Sequence, residues 1–147
     1  MTKIESVQEF MRAILQTRAS FKLAMQRSMR KNNVDITYEM LQIMSCLWKQ
    51  ERVNQQELAD KTFKDKASLT YLINNLEKRG LVVRQEDSSD RRNKLITVTE
   101  QGRILQKKME PLLNEIYAFV AENIDLKDVQ DNIIFLQKLD YEFKSIE

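Results

Sequence analysis

Histidine is absent from this 147-residue chain, and cysteine occurs only once, at Cys46. Zinc and other transition-metal sites are usually built from several histidine and cysteine side chains, which one copy of this chain does not have. A catalytic triad that uses histidine as its base is excluded for the same reason. Carboxylates are plentiful but scattered among lysines and arginines, and no glycine-rich phosphate loop occurs. We therefore predict that the protein is not an enzyme and uses no metal or cofactor.

The single cysteine cannot form an intrachain disulfide, which agrees with a reducing compartment. Cys46 has no neighbouring histidine and no cluster of basic residues, whereas reactive thiols usually lie beside such groups. Its context therefore favours a small core residue over a redox sensor.

Glycine occurs twice and proline once, so few residues interrupt helices and long helices are expected. No apolar run approaches the ~20 residues that a membrane span requires. The N-terminus lacks the basic start and apolar block of a secretion signal. The length fits one domain, or one domain with an assembly element. We expect a cytoplasmic protein without a membrane segment.

The net charge is only +2, but it is unevenly distributed along the chain. Between positions 61 and 94 there are nine basic and five acidic residues, whereas acidic residues outnumber basic ones from Glu100 onward. A basic central segment in a nearly neutral chain predicts one anion-binding region rather than nonspecific attraction of anions over the whole surface.

The centre of the basic region, positions 65–80, has the pattern of an unusual amphipathic helix. Leucine and isoleucine side chains recur at helical spacing and form one apolar stripe: Leu69, Leu72, Ile73 and Leu76. The opposite face carries small or planar hydrogen-bonding groups instead of the usual Glu/Lys mixture: Ala67, Thr70, Tyr71, Asn74, Asn75 and Lys78. Amide, hydroxyl and methyl groups suit base edges in a DNA groove, so this face is a candidate reading surface.

The segments that flank this helix complete a recognisable arrangement. Asn54 and Glu57 are typical of a helix start and predict a short helix over Gln55–Thr62. Two residues, Phe63 and Lys64, separate that helix from Asp65, which is placed to cap the next one. Two short helices joined by a tight turn indicate a helix-turn-helix, in which the second helix enters the major groove.

A hairpin is predicted directly after the second of these helices. Arg79 and Gly80 are typical of a helix end. Positions 81–86 and 94–99 have strand patterns, and the polar segment DSSDRRN between them is predicted to be a loop with Arg91 and Arg92 at its tip. An arginine-tipped hairpin fits the minor groove beside the helix, which indicates a winged helix.

Long helices are predicted at both ends of the chain. The first covers Ser6–Lys31, and its apolar stripe suits either a partner chain or the core of a monomer. Thr37 caps a helix that runs to about Gln50. Thr99 caps another over Glu100–Glu122, in which Pro111 predicts a kink or break near Lys107–Pro111. A final helix begins at Asp125, and these apolar helices exceed what one small winged helix needs, which predicts a two-fold dimer.

Three segments give the chain a resemblance to the MarR family of bacterial transcription regulators. They are QQELADK, LTYLINNLEKRGLVVR and DRRNKLITVT. The last fits the family's wing pattern of Asp, any residue, Arg, five residues, an aliphatic residue and Thr. That pattern falls on Asp90, Arg92, Val98 and Thr99, and the order of helices matches over essentially the whole chain.

The resemblance implies which residues bind DNA and where this chain departs from its relatives. Arg92 and its neighbours act at the wing, and Asp90 holds the loop in shape. Many members carry Arg where this chain has Tyr71 and Asn75, so its base preference should differ. The predicted DNA-binding residues are Lys66, Ser68, Thr70, Tyr71, Asn74, Asn75, Lys78, Asp90, Arg91, Arg92 and Lys94.

The predicted fold is mainly α, a winged helix-turn-helix with a small β-hairpin wing and N- and C-terminal dimerisation helices. Residues 37–99 form the DNA-binding lobe, and residues 1–36 and 100–147 the dimerisation helices, of a single regulator chain spanning 1–147. The resemblance also implies a small aromatic effector between the dimer helices and the lobe. Residues that suit such a pocket suit a core equally well: Phe21, Met25, Met44 and Trp48.

Two functions from different classes remain open. The first is a dimeric, sequence-specific regulator that binds a pseudo-palindromic double-stranded operator, a repressor released by a ligand. The alternative is a winged-helix module that binds another protein and no DNA. The amide, hydroxyl and basic groups on the outer face of the central helix favour DNA.

Overall fold

The computed structural model describes residues 1–147 and contains six helices and one three-stranded antiparallel sheet. The helices and strands, in chain order, are α1 (Lys3–Lys31), α2 (Tyr38–Lys49), β1 (Arg52–Asn54), α3 (Gln55–Thr62), α4 (Lys66–Lys78), β2 (Val82–Asp87), β3 (Asp90–Val98), α5 (Glu100–Glu122) and α6 (Leu126–Lys144). The predicted mainly helical fold with a winged helix-turn-helix is confirmed. None of the helices has the length and apolarity needed to cross a membrane.

Side-chain caps fix where four of the helices begin. Thr37, Asn54, Asp65 and Thr99 each accept a hydrogen bond from the backbone N–H three residues along, at 2.7 to 3.1 Å. Such caps satisfy one of the backbone donors that every helix start leaves free. Asp125 caps α6 in a similar way, through the N–H of Lys127 at 2.8 Å. These five predicted helix starts are therefore confirmed.

The sheet joins the start of the helix-turn-helix to its wing. The strand order is β1-β3-β2, so β3 lies in the centre. Val53 of β1 pairs with Ile96 of β3, and Val82 of β2 pairs with Val98. Val53, Val82 and Ile96 are each at most 1% exposed, so the base of the wing is anchored in the core.

One apolar core holds the helix-turn-helix and the base of the wing together. Its members come from α2, α3, α4 and all three strands, and all of them lie between Met40 and Ile96. From α4 it takes the predicted stripe, Leu69, Leu72, Ile73 and Leu76. Because α4 is only 13 residues long, this burial and not intrinsic helix propensity fixes its position.

The predicted position of the wing arginines is wrong. The hairpin turn consists of Ser88 and Ser89 alone, and β3 begins at Asp90, so Arg91 and Arg92 lie within a strand and not at a loop tip. Asp87 accepts hydrogen bonds from the N–H and hydroxyl of Ser89 at 3.0 and 2.7 Å. The polar residues that resembled a loop therefore build a tight turn, which the pair Asp87–Asp90 closes. A shift of register follows, and Arg91, Arg92 and Asn93 have no partner residue in β2.

Of the kink or break predicted near Lys107–Pro111, the break does not occur, because α5 continues from Glu100 to Glu122. The kink stays a prediction. A proline removes one backbone donor and crowds the carbonyl four residues earlier, that of Lys107. Lys107 is exposed, so water can hydrate that carbonyl. The predicted first helix begins earlier than expected, at Lys3, after a cap at Thr2.

The chain divides into two compact units, Met1–Leu112 and Leu113–Glu147. The first contains the whole sheet and the core described above. The second contains the end of α5 and all of α6, a helix without a single buried residue. Its exposed apolar side chains include Ile133, Ile134, Phe135, Leu136 and Phe143.

Candidate nucleic-acid interface

Helix α4 presents a polar face opposite its buried stripe. Lys66, Ala67, Tyr71, Asn74 and Lys78 are exposed along that face. Neither lysine takes part in an ion pair. The side-chain amide of Asn74 makes no hydrogen bond within the chain, so both its donor and its acceptor groups are available to a base edge.

A cleft of about 590 Å³ lies between this face of α4, the start of α3 and the wing. From α4 it is lined by Lys66, Thr70 and Asn74, and from β3 by Arg92 and Lys94. The structure therefore brings together five of the residues that the sequence predicted to bind DNA, from segments about 20 residues apart in the chain.

The cleft has a strongly positive lining. Lys66, Arg84, Arg92 and Lys94 contribute to it, and no carboxylate does. Only Arg84 of these four forms an ion pair. Three cationic side chains without a protein partner in one groove favour an anionic ligand that extends along the groove.

The hydroxyl groups of two predicted contact residues are already engaged within the protein. The Thr70 hydroxyl donates to the carbonyl of Lys66 at 2.8 Å and accepts from the side-chain amide of Gln55 at 2.9 Å. The Ser68 hydroxyl donates to the Asp65 carboxylate at 2.9 Å. Thr70 therefore offers chiefly its methyl group, and Ser68 acts mainly in the cap of α4.

An ion pair links α4 to β2, the first strand of the wing. The Glu77 carboxylate accepts from the backbone N–H and from the guanidinium of Arg84, both at 3.1 Å. The Arg84 side chain is only 19% exposed, so this pair is less screened by water than a surface pair. It joins the reading helix directly to the strand that carries the wing.

Two carboxylates shape the hairpin turn. Hydrogen bonds from the Ser89 side chain and backbone, followed by one from Asn93, hold the pKa of Asp87 below its usual range. Asp90 accepts from the backbone N–H of Arg92 at 3.0 Å, as expected for a residue that holds the wing in shape. Asp65 at the start of α4 likewise has a lowered pKa, because the backbone and hydroxyl of Ser68 donate to it.

The remaining predicted residues lie outside the cleft. Ser68 and Tyr71 line a second hollow on the other side of α4. The other four residues line neither hollow: Asn75, Lys78, Asp90 and Arg91.

The structure adds four polar residues that the sequence did not single out: Gln55, Gln56, Arg84 and Asn93. Gln55 and Gln56 follow the Asn54 cap, so their position at the start of α3 was predictable from the sequence. The other two depend on the strand register, which local patterns do not reveal.

The residues considered for an effector pocket contribute mainly to packing. Met25 and Met44 are at most 1% exposed. Trp48 packs against the core and donates its indole N–H to the carbonyl of Gly102 at 3.1 Å. Phe21 makes an edge-to-face contact with Tyr38, with ring centroids 6.2 Å apart.

Comparisons with known proteins agree with this geometry. The model of the MarR family matches residues 36–94. The HTH-type transcriptional regulator SarZ of Staphylococcus haemolyticus is 34% identical over 101 residues, which cover 68% of this chain and 66% of SarZ. The chain therefore spans just under two thirds of that relative.

Solved structures share the fold over more of the chain. The MarR family transcriptional regulator AbsC from Streptomyces coelicolor superimposes with a TM-score of 0.83 at 21% identity, covering 99% of this chain and 98% of AbsC. CouR from Rhodococcus jostii RHA1, bound to p-coumaroyl-CoA, gives a TM-score of 0.73 at 29% identity, covering 86% of this chain and 88% of CouR. With the family model on the helix-turn-helix and wing, and this fold throughout, the chain belongs to the MarR family of transcriptional regulators.

Proposed function

We propose that the protein is a dimeric, cytoplasmic transcriptional regulator that binds a pseudo-palindromic operator in double-stranded DNA. The observation that carries the proposal is the cleft between α4 and the wing, which has four cationic side chains in its lining and no carboxylate. Helix α4 enters the major groove, with Asn74 and Tyr71 toward the bases. The wing follows the backbone into the adjacent minor groove, where Arg92 contacts the phosphates or the groove floor.

The remaining predicted residues take supporting parts in this proposal. Lys66, Lys78 and Lys94 neutralise phosphates, and Arg91 contacts the backbone outside the cleft. Asn75 borders the reading face, Ser68 and Asp90 hold the helix start and the wing in position, and Thr70 offers its methyl group.

The dimer is supported by the apolar surface of the terminal helices. Helix α6 has 19 residues and none is buried. Its exposed residues include large apolar ones, for example Ile134 at 66% and Phe143 at 47% exposure. A second copy that covers these helices would remove this surface from water. Two-fold symmetry would then present two α4 helices about 34 Å apart, one turn of DNA. In this arrangement residues 37–99 read DNA, and residues 1–36 and 100–147 form the dimer.

We propose further that the protein is a repressor released by a small aromatic effector. CouR, whose structure holds p-coumaroyl-CoA, is 29% identical to this chain, which supports an aromatic acid or its thioester as the class of effector. Such a ligand would bind more tightly to a state of the dimer in which the spacing of the two α4 helices no longer matches one turn of DNA. It would therefore shift the population toward that state and release the operator.

Quantitative binding to the DNA upstream of the protein's own coding sequence tests the proposal. We expect the affinity for one fragment to exceed that for random duplex by at least about a thousandfold. Log affinity should also fall steeply with log salt, because phosphate-bound cations are released. Absence of binding to any duplex, or binding that salt does not weaken, would favour a protein-binding winged helix instead.

A further inference from the structure

Phe63, in the turn between α3 and α4, has a conformation and an exposure that packing does not explain. Its φ of 56° and ψ of 39° are left-handed, a region that glycine or asparagine usually occupies at a helix end. Its side chain is 95% exposed, so the ring stabilises no core. The chain thus keeps a large apolar ring on its surface at a position where glycine would fit with less strain.

This ring lies beside two apolar side chains of α4. Phe63, Ala67 and Tyr71 follow one another at intervals of four residues and line the same open hollow of about 630 Å³. Ala67 is exposed and Tyr71 is 68% exposed. Ala67, the smallest of the three side chains, lies between the two aromatic residues in the sequence.

The place of the hollow on α4 points to DNA as its occupant. Its charged lining residues are Glu39, Lys64 and Asp65. Glu39 pairs with Lys22, and Asp65 accepts hydrogen bonds from Ser68 in the cap of α4. Lys66, next to Asp65 in the chain, lines the cationic cleft on the other side of α4. The hollow lies at the N-terminal end of α4, the part of a recognition helix that contacts base edges. In the major groove, the apolar feature of a base pair is the 5-methyl group of thymine.

We propose that Phe63, Ala67 and Tyr71 form a receptor for a thymine methyl group and read at least one A·T pair of each half-site by apolar contact. The inference rests on the proposed function and adds a specificity determinant to it. Asn74 reads base edges by hydrogen bonds on one side of α4, and Phe63 reads methyl groups on the other.

The experiment uses a duplex selected by the wild-type protein from random DNA and prepared with either thymine or deoxyuridine at every T position. The uracil duplex lacks only the methyl groups. The full-length wild-type protein should bind it about fourfold more weakly for each methyl that the receptor buries. The variant Phe63→Gly should bind both duplexes with nearly equal affinity. Phe63→Asn, which also tolerates the left-handed conformation, should behave in the same way.

Two controls separate loss of methyl reading from other effects. Phe63→Gly should melt at or above the wild-type temperature, because glycine relieves the left-handed conformation. Asn74→Ala should bind both duplexes more weakly and keep the wild-type ratio between them.

Each other outcome overturns the inference. Equal wild-type affinity for the two duplexes would refute the receptor while leaving DNA binding intact. The same holds if Phe63→Gly and Phe63→Asn keep the full wild-type ratio of affinities for the thymine and uracil duplexes. Failure of the wild-type protein to bind any duplex would refute the proposed function together with this inference.

Discussion

Replacement of Arg92 by alanine removes one cation from the cleft and leaves the fold in place. The Arg92 side chain is exposed and forms no ion pair, so its loss should not change the free energy of unfolding appreciably. In the proposed complex it should weaken DNA binding broadly, because the Arg92 charge in the minor groove is attracted to the phosphates and reads no single base.

The expected magnitude follows from the cations at the interface. If each of five cations neutralises one phosphate, a dimer neutralises about ten, which gives a slope of log affinity against log salt of about −9. The five are Lys66, Lys78, Arg91, Arg92 and Lys94. Arg92→Ala removes two of these contacts from a dimer and should reduce the slope by about 1.8. When the salt concentration rises from 50 to 200 mM, the affinity of Arg92→Ala should therefore fall by a factor about 12 times smaller than that of the wild type.

The assay is fluorescence anisotropy with a labelled duplex at several salt concentrations. Arg27→Ala is the matched control, since Arg27 is an exposed arginine on α1 and its loss changes the net charge equally. The control should keep the wild-type slope. If Arg92→Ala and Arg27→Ala changed the slope by the same amount, binding would respond to net charge alone, and the assignment of the cleft would be refuted.

Three further predictions concern single residues of the same lobe. Asn74→Ala should cost ~1–3 kcal/mol at one base position and relax the preference there, as competition between single-base operator variants would show; a uniform loss over all positions would contradict a role in base reading. Gly102→Ala should destabilise the fold by ~1–3 kcal/mol in urea unfolding, because an added Cβ would collide with the Leu81 carbonyl and the Val98 side chain; the exposed Lys107→Ala in the same helix should be nearly neutral. Asp87 has a lowered pKa in the folded state, so its stabilising contribution is complete above the usual carboxyl pKa of ~3.9 and is lost as the pH falls through the lowered value. The urea midpoint of the wild type should therefore fall more than that of Asp87→Asn between pH 5 and 2, and parallel curves would refute this.

Local signals in the sequence predicted the helix starts well. Thr37, Asn54 and Asp65 are residues whose side chains bond a backbone N–H three positions away, so their effect does not depend on the rest of the fold. The same kind of signal was present at Thr2 and Glu5, which form a reciprocal capping box at the start of α1. Helix α1 therefore begins at Lys3, three residues before the predicted start at Ser6.

The structure of the wing could not be predicted from local sequence patterns alone. Its residues are polar and rich in turn formers, and only the pairing of β2 with β3 distinguishes strand from loop. Strand register is set by contacts between distant segments, so neither the cleft partners Arg84 and Asn93 nor the place of Arg92 within a strand followed from the sequence. The residue types at the site were predictable, but the side of α4 or of β3 to which each one points was not.

Methylation protection of a bound operator by dimethyl sulfate tests the central claim most directly, because this reagent modifies guanine N7 in the major groove and adenine N3 in the minor groove. If α4 and the wing of one protomer read adjacent grooves, each half-site should show protected guanine N7 next to protected adenine N3. Arg92→Ala should lose only the adenine protection. Protection confined to one groove, or loss of both signals in Arg92→Ala under saturating protein, would contradict the account.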